Sequence, residues 1–538
     1  MVTEFDYVIV GAGPAGCVLA HRLSADPETT VLLVEAGGRD TSPLIGMPMG
    51  FGKLLGDPRH TWQYPIRPIG PGDRAETWVR GKTLGGSSAV NGMIYNRGQR
   101  ADWDELERRG NPGWGWDTML PIFRAIEDNP SGASDLSGSG GPLRISTTSG
   151  LDPFLEEILD TGAALGWKQV RDINAEDTER IGYAMATIRN GRRCSAATAF
   201  LHPVERRANL TVAVRTVADR VLIERGTAVG IRCRRKGRGV DYRARREVLL
   251  CCGALATPKI LQLSGIGPAE TLRSAGVAVL ADSPNVGARL IEHHCFVLQY
   301  RLVGDLGYNR LLGTPAGQLR SGIRYLATRG GPLAGPGHDI VGFFQSRPGL
   351  DRPDAQIQIG PWSIAPQLPG EPVTLEREPG IMCIGYLLRP DSTGSLRITG
   401  PDPDAALDID ANYFATDHDR RVAVDTFRTM RRLFATEPLA SRLGPETTPG
   451  PHVDTDAEII DACLDGGVCG YHAIGTAAMG PDADDVVDPQ LRVRGVAALR
   501  VVDVSVLPTM VSGNLNGPVT ALAWRAADLI TGASDNAE

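Results

Sequence analysis

The chain has 538 residues, 42% hydrophobic and 22% charged, a globular composition with length for about three or four domain-sized units, which excludes a disordered or fibrous protein. Its 56 Lys and Arg stand against 63 Asp and Glu, a formal net charge of −7. The densest basic run, RRKGR at 234–238, reads as a solvated loop, so nucleic acid is excluded as a partner.

Nine cysteines, odd in number and without CxxC spacing, argue against a disulfide framework or a zinc site and lead us to expect reduced thiols in a cytoplasmic setting. Glu4 and Asp6 stand where a secretory leader would carry positive charge, so no export signal is expected. Val504 to Trp524 is uncharged and long enough to cross a bilayer, yet Pro508, Gly513, Asn514, Asn516, Gly517 and Pro518 interrupt it. It is read as no membrane span.

In chain order, DYVIV at 6–10 predicts a strand, GAGPAGCVLAHRLS a turn into a helix, and TVLLVEAGG from residue 30 a second strand. Residues 41–80, rich in Pro and Gly with Trp62, Tyr64 and Trp78, form a long connection that covers something. Residues 101–127 predict helix with a Gly/Pro break, and SGASDLSGSGG at 131–141 has the composition of a flexible linker and marks a surface loop or a domain crossing. A helix at 153–165, strands at 209–223 and 228–233, and a strand, Gly turn and helix at 248–267 follow. From 300 to 460 the character changes to strand pieces at 355–360, 381–388 and 395–410 and a helix at 417–435. The end reads as a buried strand at 499–509 and a helix from about 518.

Gly11, Gly13 and Gly16 stand in GxGxxG spacing between strand and helix, and Glu35 closes the next strand. The first glycine permits the tight turn, the second lets backbone N–H groups approach a pyrophosphate, and the third allows close packing. The helix N-terminus adds partial positive charge for the phosphates. Glu35 can accept from both ribose hydroxyls and would repel a 2′-phosphate. By itself the turn does not choose between NAD and FAD.

The segment RGKTLGGSSAVNGMIYNRGQRADWD at 80–104 chooses. With GAGPAG, GALATPKILQLSGIG at 253–267, YHAIGTAAMG at 471–480 and LRVVDVSVLPTMVSGNLNGPVTALAWRAAD at 499–528, it resembles the glucose-methanol-choline (GMC) oxidoreductases, a family of FAD-dependent alcohol oxidases and dehydrogenases that includes choline dehydrogenase-like and aryl-alcohol or hydroxymethylfurfural oxidase-like members. The resemblance implies an α/β fold, a Rossmann-like FAD-binding domain with a second, substrate domain built on a mainly antiparallel sheet with helices. We expect FAD-binding segments at 1–150, 191–300 and 463–538, the last carrying the catalytic residues, interleaved with substrate-domain segments at 151–190 and 301–462.

The resemblance further implies that Gly11, Gly13, Pro14, Ala15, Gly16, Glu35, Ala36, Gly85, Gly86, Ser88, Asn91, Gly92, Met93, Val217, Gly253, Tyr471, Asp503 and Asn516 line the FAD site. Family members with covalent flavin carry a histidine just before the loop asparagine; here that residue is Val90, so non-covalent FAD is expected. Cys251 and Cys252 lie in an apolar strand and read as structural thiols.

His472 stands among glycines and alanines in GGVCGYHAIGTAAMG, a composition that clears space around one imidazole. It matches the family's histidine at the flavin's reactive face, and Asn516 in GNLNGP is taken for its partner. Alcohol oxidation needs a base for the O–H proton as hydride leaves, and imidazole, with a pKa of about 6.5, can serve near neutral pH. The expected partners are a small alcohol and O₂ or another electron acceptor. Glu292 and His293 resemble the acid and histidine pair of a family loop and read as structural. Rival readings are a lyase or photodecarboxylase of the same fold, a non-catalytic flavin-binding electron carrier, and an NAD-dependent dehydrogenase that would leave the second Gly/Ser loop unexplained.

Overall fold

A computed structural model describes residues 4–147, 152–365 and 374–532. The apolar runs at both ends of the chain meet in one seven-stranded sheet. Its order is Leu210–Ala213, Val31–Val34, Glu4–Val10, Arg238–Leu250, Thr227–Arg235 and Thr216–Glu224, with Leu499–Val501 beside Arg238–Leu250. Pairing through Glu4–Val10 is parallel, and the three strands from 216 to 250 form an antiparallel meander. Parallel strands covered on both faces need apolar residues on both, which is why VIV and VLLV run unbroken. Val8, Ile9, Leu32 and Leu33 have no exposed surface. Helix Pro14–Leu23 packs against helix Asn516–Thr531, so the chain's last helix returns to its first turn.

A second, eight-stranded sheet is ordered Leu443–Thr448, His294–Leu302, Gly380–Leu387, Ala355–Gly360, Ile340–Phe344, Arg180–Tyr183 and Lys168–Gln169, with Val468–Cys469 beside His294–Leu302. All pairs are antiparallel except the last two in that order. Ile357, Ile359, Leu298, Cys383 and Phe344 pack with Phe427 and Met430 of helix Asp417–Phe434. Alternation turns Gln356, Gln358 and Tyr386 to the opposite face, which meets the first sheet's domain. The α/β class expected from the sequence is the class observed.

Several expectations need correction. The stretch at 131–141 is a surface loop, one of the two readings expected, but it is tied down and not free: Ser137 donates its hydroxyl to the Gly132 carbonyl, Gly141 N–H donates to the Glu127 carbonyl, and the buried Arg97 guanidinium donates to the Leu136 carbonyl. The strand at 499–509 ends at Val501, because Asp503 accepts from Ser505 N–H and caps a 3-10 turn at Val504–Val506. His294–Leu302 and Val468–Cys469 join the second sheet, although both lie in segments assigned to FAD binding. The boundary at 150/151 lies outside the described residues.

The peptide that leads to the site is fixed by a buried ion pair. Arg97 Nε and Nη2 donate to the two Glu127 oxygens at 2.6 Å each, and the Tyr95 hydroxyl donates to Glu127 Oε1 at 2.6 Å. Arg97 is 1% exposed. Removing the carboxylate strands a buried guanidinium, so Glu127→Ala should lower stability by about 3–5 kcal/mol. Urea unfolding followed by tryptophan fluorescence measures it, and an unchanged midpoint would refute the role.

Candidate active site

The two glycine loops meet. Gly11 has φ +99, and a Cβ on Gly16 would fall 1.9 Å from the Gly11 carbonyl oxygen, so both positions require glycine. Gly85 N–H donates to the Ala12 carbonyl at 2.8 Å, and a Cβ on Gly86 would lie 2.7 Å from the Gly13 Cα. Pro14 is the first residue of its helix, which has no side-chain cap, leaving first-turn N–H groups free for an anion. Thus Gly11, Gly13, Pro14, Ala15, Gly16, Gly85 and Gly86 form one cradle.

Glu35 closes it. Its oxygens accept from Ala12 N–H at 2.9 Å and Gly37 N–H at 2.7 Å. Burial pushes its carboxyl up to about 7 against those two bonds, so further donors, such as ribose hydroxyls, fit this acid. Thr216 N–H donates to the Glu35 carbonyl, which sets Val217 beside the same strand end as Ala36. Asp503 Oδ2 accepts from Gly253 N–H at 2.9 Å and the Thr257 hydroxyl at 2.6 Å. A Cβ on Gly253 would meet nothing within 4 Å. This open, donor-rich cleft fits a dinucleotide.

Ser88 and Asn91 spend their side chains on the loop itself. Ser88 donates to the Gly85 carbonyl at 2.6 Å and accepts from Ala196 N–H at 2.9 Å. Asn91 Oδ1 accepts from Met93 N–H at 3.1 Å and from the buried Arg193 at 2.7 Å. Met93 holds φ +68, and a Cβ on Gly92 would meet nothing closer than the Gly337 Cα at 3.8 Å. Tyr471, at φ +63, is 42% exposed with the Arg80 guanidinium 5.9 Å from its ring.

His472 faces Asn514, not Asn516. Asn514 Nδ2 lies 3.2 Å from His472 Nε2. The helix explains the correction: it begins at Asn516, whose carbonyl accepts from the Thr520 hydroxyl, whereas Asn514 precedes it and projects toward the second sheet. Asn514 Oδ1 accepts from Gln356 at 3.3 Å and Gln358 at 3.2 Å, and the Asn96 amide lies 2.8 Å from it. Tyr386 OH donates to Gln356 Oε1 at 2.7 Å and accepts from Gln358 Nε2 at 3.2 Å.

His293, read as structural, touches His472 directly: their Nδ1 atoms are 2.9 Å apart. His293 Nε2 lies 3.0 Å from the Leu388 carbonyl, which only accepts. His293 therefore carries its proton on Nε2, and its bare Nδ1 accepts from His472 Nδ1–H. That leaves the lone pair of His472 on Nε2, opposite the Asn514 N–H. Glu292 Oε1 accepts from the backbone N–H of both histidines, and its Oε2 accepts from Arg80 at 3.2 Å. Alternation in AQIQIG was the available signal for Gln356 and Gln358, and the acid and histidine pair Glu292 and His293 was the signal for His293.

Comparisons with known proteins show the family. Residues 5–295 match the family model described as GMC oxidoreductase, N-terminal part, and 390–523 match its C-terminal part. The chain belongs to the GMC oxidoreductase family. It is 36% identical to the oxygen-dependent choline dehydrogenase of Rhizobium etli (98% of this chain, 96% of the relative) and 35% identical to the alcohol dehydrogenase [acceptor] of Pseudomonas putida (98% and 95%). Pyridoxine 4-oxidase from Mesorbium loti superposes with a TM-score of 0.87 at 31% identity (97% and 98%). The protein is an FAD-dependent oxidoreductase acting on alcohol CH–OH groups.

Burial holds the His472 imidazole well below its usual pKa, with the nearby His293 and Arg80 adding to the shift. Burial likewise lowers His293 to about 4, against the bond to the Leu388 carbonyl. A lowered pKa disfavours the charged form, so both rings stay neutral at pH 6, where an ordinary imidazole is about three-quarters charged. ¹⁵N spectra of histidine-labelled protein at pH 6 should show His293 protonated on Nε2 and His472 on Nδ1. Imidazolium signals from either would contradict the assignment.

Proposed function

We propose that the protein oxidises a primary alcohol to the aldehyde, with His472 as general base and Asn514 as the partner of the alcohol oxygen. The observation that carries this reading is the convergence of a bare imidazole nitrogen and an amide N–H, 3.2 Å apart. A hydroxyl set beside the pair, within reach of both, donates to His472 Nε2 and accepts from Asn514 Nδ2. The base takes the O–H proton as the C–H bond breaks, and the amide stabilises the developing alkoxide and fixes the carbon. FAD, when bound, supplies the hydride acceptor; O₂ or another acceptor then takes the electrons.

Pyrophosphate would be held by Gly11, Gly13, Pro14, Ala15, Gly16, Gly85, Gly86 and the loop that Ser88 ties. Glu35 and Ala36 serve the ribose, and Val217 and Gly253 the adenosine half. Asn91, Gly92, Met93, Tyr471, Asp503 and Asn516 border the flavin half. Asn516 belongs there as the residue that opens a helix whose first-turn N–H groups favour negative charge.

The substrate's body is apolar or aromatic. Beyond Gln358 the same sheet row continues into Ile384 and Val297, which pack with Trp362, Met382 and Tyr308. A hydroxyl at the polar end and a hydrocarbon along that wall suit both halves.

His472→Ala should retain FAD and slow anaerobic flavin reduction by about 10²–10⁴. Asn514→Ala should slow it at least about tenfold more than Asn516→Ala does. Stopped-flow mixing with an alcohol that reduces the parent measures all three, and the reverse order of the two asparagines would return the role to Asn516.

Val90 supports dissociable FAD, because valine offers no nucleophile and here packs with Ile45, Leu54 and Ala89. Acid precipitation should leave the yellow colour in the supernatant. A yellow pellet would disprove it.

A further inference from the structure

Helix Pro315–Thr328 presents the wrong face to solvent for a water-exposed helix. Ser321 and Tyr325 are its buried residues, and the Tyr325 hydroxyl donates to the Gly191 carbonyl at 3.0 Å. At 100° per residue, Leu319, Ile323 and Leu326 lie on the opposite side. They are 67%, 61% and 69% exposed. Of the seven exposed large apolar side chains among the described residues, three therefore share one stripe, where a surface helix normally carries polar groups.

Charge singles out the same segment. Between Asp305 and Asp339 the sequence has Arg310, Arg320, Arg324 and Arg329 and no acidic residue, in a chain of net charge −7. Arg320 and Arg324 lie along one side of the stripe and are exposed, and no ion pair among the described residues engages either one, whereas Arg310 pairs with Asp305 at 3.3 Å. Long basic side chains beside an apolar stripe let the stripe sink while their heads stay at the headgroup level. A protein partner would be matched by shape, but a stripe of aliphatic residues edged by unpaired arginines matches an anionic bilayer surface. No described helix is long and apolar enough to cross a membrane, so the contact is interfacial.

We propose that helix Pro315–Thr328 docks the protein on anionic membrane surfaces. Its stripe enters the acyl boundary, and Arg320 and Arg324 meet the lipid phosphates. The preceding turn, Asn309–Leu312, contributes Leu311 and Leu312 to the apolar cluster around Trp362 and Met382, so docking sets the proposed apolar substrate wall next to the bilayer. That consequence rests on the alcohol reading above; the docking does not.

The test is co-sedimentation of the FAD-loaded protein with phosphatidylglycerol-containing vesicles. The parent should sediment with these, and should stay in solution with pure phosphatidylcholine vesicles or at high salt. Leu319→Gln/Ile323→Gln/Leu326→Gln and, separately, Arg320→Glu/Arg324→Glu should each lower the partition coefficient at least about tenfold, with the flavin spectrum and alcohol oxidation in vesicle-free buffer unchanged. Three results would overturn the proposal: a parent that ignores anionic vesicles, variants that bind as well as the parent, or a parent dimer in sedimentation velocity that the triple variant reduces to monomer, which would assign the face to a second copy.

Discussion

One buried carboxylate carries the geometry of the site. Glu292 takes the backbone N–H groups of His293 and His472 on a single oxygen and the Arg80 guanidinium on the other. Burial raises its pKa and Arg80 opposes that rise most strongly, so its charge depends on the arginine. The two histidines come from segments nearly two hundred residues apart, and this clamp brings their rings within bonding distance. Everything downstream follows from it: the Leu388 carbonyl selects the His293 tautomer, His293 selects that of His472, and the lone pair emerges on the side facing Asn514. A side-chain network of this kind stays ordered because each member's alternatives leave a buried polar atom unpaired.

The site lies where two sheets of different logic face each other. The first sheet is apolar throughout its parallel centre and contributes strand ends, glycine turns and helix N-termini, as open α/β sheets do at the carboxyl ends of their strands. The second sheet is antiparallel, with one face sealed by helix Asp417–Phe434 and the other left to set chemistry side chain by side chain. Gln356, Gln358 and Tyr386 satisfy one another and Asn514, which makes the amide's orientation a property of the second sheet even though its backbone belongs to the first domain.

What the sequence disclosed follows the same division. The cofactor turns were legible because backbone contact forbids any side chain there, as with Gly16 against Gly11 and Gly86 against Gly13. His472 was legible because Gly470 must be small: a Cβ there would lie 2.8 Å from the His293 Cβ. Asn514 was not, since two asparagines separated by one leucine differ only in which of them precedes the helix, and that start depends on packing against Asn96 and Tyr95. His293 was hidden just before strand His294–Leu302, whose partner strands lie far along the chain. The loop at 131–141 looked like a linker by composition, yet a buried arginine uses its carbonyl, and composition does not report such a partner. The stripe at 319, 323 and 326 has the spacing of a core-facing helix; only the fold shows that its apolar side points out.

On the alcohol reading proposed above, selectivity follows from the His472 and Asn514 pair more than from the apolar row of Ile384, Val297 and Trp362. Extending a ligand by one methylene along Ile384, Val297 and Trp362 changes binding by about 1–3 kcal/mol, so this wall grades alcohols without excluding neighbours. The His472 lone pair and Asn514 N–H act differently, because in a site closed by ligand they have no water to fall back on. A ligand without a hydroxyl leaves the two paired only with each other at 3.2 Å, whereas an alcohol oxygen adds a donor and an acceptor to the pair with one atom. On the proposed reading the arrangement therefore selects for the hydroxyl at its polar end and grades only loosely the body that carries it.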